Sequence, residues 1–273
     1  MAKVAACAVK PFGLDGSNGE QPPVLMVHGW GLHGGVFDGV RESLGPQCRM
    51  FAPDLPGYAG NPAQLKPYDL DGLSEYLAGA WTQPAVWIGW SLGGLVAMSV
   101  ALTWPQRVRA LVLVGTNPCF VCRPDWSTAM EQTTLDSFGT DLVGDFDGTL
   151  SRFLSLQTGA HEEGRYQLRQ LRQQLSRRAT PHMQALQGGL EILGDTDLRH
   201  RLEEISMPVV VIQGERDRLV PSQAAEYLVS SLPDAVLTLI SGAGHAPFLS
   251  HPQIFMDTLM RFLTKQGLSV GVC

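Results

Sequence analysis

A chain of 273 residues, 44% apolar and 17% charged, has enough apolar material for a sizeable core, and α/β architectures of this length commonly form one unit. Its formal charge of −6, with no long Lys/Arg run, excludes a nucleic-acid binder that works by neutralising phosphates. No apolar run approaches the ~18 residues needed to cross a bilayer, and the short stretch Val4–Val9 meets Lys10 and Pro11 too soon for an export signal, so a cytoplasmic protein is expected.

In chain order, apolar runs bounded by turn residues predict strands at Pro23–Val27, Arg49–Ala52, Ala85–Ile88, Ala110–Val114, Val209–Ile212 and Val236–Ile240. Continuous apolar runs of this kind suit parallel strands covered on both faces. Amphipathic spacing predicts helices over Leu70–Trp81, Leu92–Thr103, Ser222–Leu232 and Pro252–Leu263. The alternation implies an α/β fold with a mostly parallel, doubly wound sheet and right-handed crossovers. It breaks once, where roughly 90 residues separate the strand ending near Gly115 from the one opening at Val209. This stretch carries helix-like segments at Thr149–Gln157 and Gly164–Arg178. A structureless loop of that length does not suit a compact domain. The expectation is therefore a helical cap over 117–200, inserted into a core of 1–116 and 201–273 and lying over the carboxyl ends of the strands.

Five scattered cysteines, an odd number, predict reduced thiols. Cys119-Phe120-Val121-Cys122 has no second pair at zinc spacing, so it predicts two ordinary thiols. No metal-ligand cluster or phosphate-binding glycine loop is present, and no cofactor is expected.

Gly89-Trp90-Ser91-Leu92-Gly93 matches G-x-S-x-G, and it lies between a predicted strand and a predicted helix. That is the setting of a nucleophile elbow, in which the flanking glycines let strand and helix approach while the serine holds a strained backbone with its hydroxyl presented. A serine hydroxyl is a weak nucleophile and needs a base whose tautomer is held by a carboxylate. In this fold the chain order is serine, acid, histidine. Asp217 follows the Val209–Ile212 strand and His245 follows the Val236–Ile240 strand, which brings both to the sheet edge that carries Ser91. The rival histidines are His28, His33, His161, His182, His200 and His251, and His251 precedes Pro252 at a helix start. Asp54 is the rival acid, but it precedes Ser91 and is expected to brace the loop Leu55–Gly57. Backbone donors for an oxyanion are expected from Leu92 and from the loop His28-Gly29-Trp30-Gly31, through the N–H of Trp30, with His28 bracing the turn.

Several segments, His28–Leu32, Asp54–Gly57, Gly89–Val96, Asn117–Phe120, Phe153–Gln157, Gly188–Leu193 and Gly244–His251, together resemble the BioH family of pimeloyl-[acyl-carrier protein] methyl ester esterases of biotin synthesis. The similarity runs from about Pro22 to Phe262, and the cap segments are its most particular part. The resemblance implies an α/β-hydrolase fold and hydrolysis of a methyl ester on a pimeloyl chain carried by acyl-carrier protein. It places Ser91, Asp217 and His245 on the family's triad, and Trp30 and Leu92 on its substrate and oxyanion contacts. Phe153, Leu154, Ser155, Leu156 and Gln157 fall on its acyl contacts, and Arg152, Arg165 and Arg169 on its carrier-docking surface. One family arginine is replaced here by Gly148, and Gly57-Tyr58-Ala59-Gly60 is longer by one than the family's turn. A general carboxylesterase or a carbon–carbon hydrolase acting on free small molecules is the competing expectation. A silent binding module on the same scaffold would have lost a triad member. A monomer is expected.

The segment from Gly164 to Arg178 holds five arginines and no acidic residue. At 100° per residue, Arg165, Arg169 and Arg172 share one helix face, with Leu168, Leu171 and Leu175 on the adjoining one. The residues alone suit a solvated face beside Glu162 and Glu163; the resemblance implies docking of an acidic carrier.

Overall fold

The structure is a computed structural model and describes residues 22–46, 48–158 and 162–268. Among the described residues, six strands form one all-parallel sheet: β1 (Val24–Val27), β2 (Met50–Phe51), β3 (Ala85–Trp90), β4 (Val108–Val114), β5 (Val209–Gly214) and β6 (Ala235–Ile240), in the order β2-β1-β3-β4-β5-β6. All six strand positions expected from the apolar runs are occupied. The second is only two residues long, because the chain turns away after Phe51 at the sheet edge.

Strand residues alternate faces, so each strand feeds two cores. Leu25, Val27, Trp87, Leu111, Leu113, Val209 and Val211 bury on one side. Val24, Met26, Val86, Ile88, Ala110, Val112, Val210 and Ile212 bury on the other. The first face is covered by α2 (Leu70–Ala80), α3 (Leu92–Thr103) and α8 (Ser222–Ser231), the second by α1 (Asp38–Leu44) and α9 (Pro252–Lys265). In α3, Leu92 to Ala101 are all buried, which explains its almost wholly apolar sequence; Pro105 stops it soon after Thr103.

Strand order reverses between β1 and β3, and open α/β sheets bind ligands at the carboxyl ends beside such a reversal. The turn after β3 is therefore crowded. A Cβ on Gly89 would stand 2.3 Å from the Gly93 carbonyl oxygen, and one on Gly93 would stand 2.1 Å from that of Val27. Backbone opposes backbone there, so no side chain can yield. We expect Gly93→Ala to lower stability by about 3 kcal/mol or more, read as a fall in the urea or thermal midpoint. An unchanged midpoint would contradict the close approach.

Between β4 and β5 lie α4 (Gln132–Gly144), α5 (Phe146–Thr158), α6 (Glu162–Leu175) and α7 (Met183–Asp195). The segments read as helical at Thr149–Gln157 and Gly164–Arg178 fall in α5 and α6. Periodicity did not predict α4 or α7. The latter carries Gly188 and Gly189 mid-helix, each about 1 kcal/mol poorer than Ala there. Their role is tertiary: a Cβ on Gly188 would meet the Tyr68 ring at 2.6 Å, and one on Gly189 would meet Trp30 at 2.6 Å. Among the described residues, no helix is long and apolar enough to cross a membrane.

Candidate active site

Ser91 sits between β3 and α3 with φ 56° and ψ −123°, a backbone conformation that L side chains rarely adopt. The strain is held from both sides. The Ser91 N–H donates to the Val114 carbonyl at 3.0 Å, and the Thr116 hydroxyl donates to the Ser91 carbonyl at 2.8 Å. Leu92 is the first residue of α3, so its N–H is among the first-turn donors that have no acceptor within the helix.

His245 and Asp217 arrive from the loops after β6 and β5, as their sequence positions required. His245 Nδ1–H donates to Asp217 Oδ2 at 2.7 Å, and both side chains are fully buried. The carboxylate is gripped further. Its Oδ1 accepts from the N–H groups of Leu219 and Val220 at 2.8 and 3.0 Å, and its Oδ2 also accepts from Gln213 Nε2 at 3.0 Å. With Nδ1 protonated, His245 Nε2 is the basic nitrogen, and it is buried without a hydrogen-bond partner. A buried, unpaired lone pair is costly unless a reacting group uses it.

Sequence reasoning missed the parts that seat this histidine. Trp90 Nε1–H donates to the His245 carbonyl at 2.8 Å. Gly115, at φ 49°, leaves room for it; a Cβ would stand 2.7 Å from the same carbonyl oxygen and 3.2 Å from Nδ1. The visible signal was a glycine immediately after a predicted strand.

The loop after β1 holds His28 and Trp30. His28 braces the turn as expected: its Nδ1–H donates to the Gly29 carbonyl at 2.9 Å, and its Nε2 accepts from the Leu55 N–H at 3.0 Å. Burial pushes its pKa down to about 4, so the ring is neutral. The Trp30 ring is buried and lies edge-on to Phe153 at 4.7 Å, while its Nε1–H donates to the Leu186 carbonyl of α7 at 2.7 Å. That side chain ties the inserted helices to the loop. Asp54 departs from its expected role. Its side chain does not brace Leu55–Gly57 but accepts from the Gly34 N–H at 2.8 Å and pairs with Arg178 at 2.7 Å, while its own carbonyl accepts from Asn61.

A narrow cavity runs from Ser91 between Phe120, Met130, Leu135, Phe153, Leu193 and Leu219. Of the expected acyl contacts, Phe153 lines it. Leu154 is buried in the opposite core and Ser155 is exposed, its hydroxyl donating to the Ser151 carbonyl. Neighbours on a helix are turned by 100°, so the three cannot share one face. Leu156 and Gln157 have side chains outside the described residues. The other wall residues, Phe120, Met130, Leu135, Leu193 and Leu219, were not picked out beforehand, since an apolar residue in a loop or helix gives no hint of which cavity it faces. Cys119 and Cys122 flank Phe120; burial pushes both thiols up, and both donate to backbone carbonyls, as ordinary thiols do.

On the outer surface, Arg152 of α5 pairs with Asp141 at 2.8 Å, with both side chains about half exposed. Such a pair is worth about 0–1 kcal/mol and leaves the charge accessible. Arg169 and Arg172 are exposed, Arg172 bonding to Ser151, while Leu171 is buried and Leu168 and Leu175 are partly so, as the helical wheel required. The side chains of Arg165, Glu162 and Glu163 lie outside the described residues.

The model of the α/β hydrolase fold family matches residues 22–252. The chain is 44% identical over 248 residues to a pimeloyl-[acyl-carrier protein] methyl ester esterase of Xylella fastidiosa, covering 90% of this chain and 96% of that one. It is 42% identical over 247 residues to the protein of the same name from Xanthomonas oryzae pv. oryzae, covering 90% and 97%. Among solved structures it is similar to an esterase from Exiguobacterium antarcticum, with TM-score 0.80 at 22% identity over 89% of this chain and 92% of that one.

Proposed function

Because the chain belongs to the α/β-hydrolase fold family, among the pimeloyl-[acyl-carrier protein] methyl ester esterases, we propose that it hydrolyses the methyl ester of pimeloyl-[acyl-carrier protein] with Ser91, His245 and Asp217. The observation that carries the reading is one arrangement: a strained serine lining an apolar cavity, with a buried histidine one of whose ring nitrogens is fixed by a carboxylate.

The chemistry follows. His245 Nε2 accepts the Ser91 proton as Oγ attacks the ester carbonyl, and the backbone N–H groups of Leu92 and Trp30 receive the developing oxyanion. The imidazolium, steadied by Asp217, returns the proton to methoxide, and methanol leaves. His245 then activates water, which releases the free carboxylate from the acyl-enzyme. Apart from the ester and water, these steps use only groups of the chain itself. The residues from Phe120 to Leu219 give the cavity the apolar lining that a methylene chain needs, each buried methylene being worth about 0.8 kcal/mol, and these side chains must move apart to admit one.

Residues 117–200 act in this reading as the cap over a core of 1–116 and 201–273, and Arg152, Arg165 and Arg169 form the surface that meets an acidic carrier. The described cysteines Cys48, Cys119 and Cys122 are free, which fits a reducing cytoplasm. Mass spectrometry of the methyl ester of pimeloyl-carrier protein tests the reading directly. The expected result is loss of one methylene mass and release of methanol. Turnover of free small esters with none of the carrier-linked one would favour a general carboxylesterase.

Exposed charges act mainly on encounter and are screened over ~10 Å at 0.1 M salt. Changing Arg152, Arg165 and Arg169 together to glutamine is therefore expected to raise KM for the carrier-linked ester about tenfold and to flatten its salt dependence. A small ester should be hydrolysed as before. Equal losses on both substrates would mean that these arginines hold the helices in place.

A further inference from the structure

Asp54 and Leu55, consecutive after β2, grip the loop after β1 at both of its ends. At the near end the Leu55 N–H donates to His28 Nε2 at 3.0 Å; at the far end the Gly34 N–H donates to Asp54 Oδ1 at 2.8 Å. Gly29 to His33, with Trp30 among them, lie between those two points. The grip is itself anchored. Asn61 Nδ2 donates to the Asp54 carbonyl at 2.7 Å, and the turn at Gly34 lies so close to the end of β2 that a Cβ would stand 2.0 Å from the Ala52 carbonyl oxygen.

The second carboxylate oxygen of Asp54 points outward. Arg178 Nη1 donates to it at 2.7 Å, and the guanidinium lies over the same turn, its Nη2 3.5 Å from where a Gly35 Cβ would be. Arg178 stands three residues beyond the last residue of α6, to which it is joined by its N–H on the Leu175 carbonyl. Of the arginines in this segment, Arg178 thus reaches across to Asp54 while its side chain stays 42% exposed; Arg169 and Arg172 lie on the exposed face of the helix.

We propose that Asp54 is a positioning residue for the oxyanion loop, and that Arg178 makes the end of α6 part of that support. The arginine-bearing helix and the loop that presents the Trp30 N–H then hold one geometry together. A donor displaced by a fraction of an ångström stabilises the oxyanion less while leaving ground-state binding almost unaltered, so the signature is in kcat and not in KM. The proposal rests on the hydrolase reading above.

The test uses the full chain and p-nitrophenyl butyrate. Asp54→Ala, which removes both carboxylate contacts, is expected to lower kcat by about tenfold or more, with KM within about twofold of wild type. Asp54→Asn keeps an acceptor for Gly34 but removes the charge, and Arg178→Met removes the other partner; each is expected to lower kcat about threefold. Their combination should lose no more than the larger single effect, because both break one link. Multiplicative losses, or kcat within twofold of wild type in a folded Asp54→Ala, overturn the proposal. Should Asp54→Ala not fold, Arg178→Met decides, since its side chain is 42% exposed and its removal leaves the core intact. A wild-type protein that hydrolyses no ester and whose Ser91 resists a fluorophosphonate would remove the hydrolase reading itself. Unchanged kcat in a working enzyme removes this proposal alone.

Discussion

Replacing Ser91 with alanine is expected to lower ester turnover by at least about 10³-fold while the protein stays folded, because nucleophile, base and acid act as a unit. The elbow predicts a second, less usual result. Ser91 holds φ 56°, and a non-glycine residue so placed stores about 1–3 kcal/mol of strain. Glycine relieves it, less about 1 kcal/mol for the added freedom of the unfolded chain. Ser91→Gly should therefore be as inactive as the alanine variant and yet melt on the order of 2–4 °C higher than it. Turnover above a tenth of wild type in either variant would end the assignment of the nucleophile. A glycine variant that melts below the alanine one would contradict the strain.

Asp217→Asn carries the other large effect, and the hydrogen bonds dictate its mechanism. Oδ1 of Asp217 accepts from the N–H groups of Leu219 and Val220, so an asparagine must place its carbonyl oxygen there. Its amide nitrogen then faces His245 Nδ1, where the carboxylate Oδ2 had accepted a hydrogen bond. An N–H facing Nδ1 forces the proton onto Nε2, and the imidazole can no longer take one from Ser91. A loss of about 10³–10⁴ in kcat follows, with little change in fold, since the replacement is isosteric. Circular dichroism and kcat on a simple ester measure both halves. A loss below about tenfold would mean that another group orients the histidine.

The sheet and the three central side chains were legible because each leaves a local mark. Buried parallel strands are short apolar runs, and the elbow needs glycines on both sides of its serine, which is why Gly89 and Gly93 could be recognised before the contacts behind them were known. Chain order then put the proposed acid and base, Asp217 and His245, on the loops after β5 and β6. What stayed hidden depends on contacts between segments distant in the chain. Gly115 makes room for a histidine 130 positions further on, Gln213 hydrogen-bonds the acid, and α7 spends helix propensity at Gly188 and Gly189 to lie against Tyr68 and Trp30. Asp54 was expected to serve its own turn; both partners of its carboxylate lie elsewhere, at Gly34 and at Arg178. The acyl contacts at Phe153–Gln157 came from resemblance along a segment, and a helix divides such a segment among several faces.

The four inserted helices leave and rejoin the sheet at β4 and β5, which are hydrogen-bonded neighbours, with Leu111 opposite Val209 and Val114 opposite Ile212. Pairing those strands closes a loop of roughly 90 residues, and the entropy of closure grows only with the logarithm of length, by about 0.6 kcal/mol per doubling. The hydrolytic framework is thus nearly indifferent to how much chain is looped out at that point. A lineage can lengthen, shorten or replace the insertion and change what is recognised above Ser91, while the pairing of β4 with β5 and the turns that carry the chemistry stay under their own separate constraints.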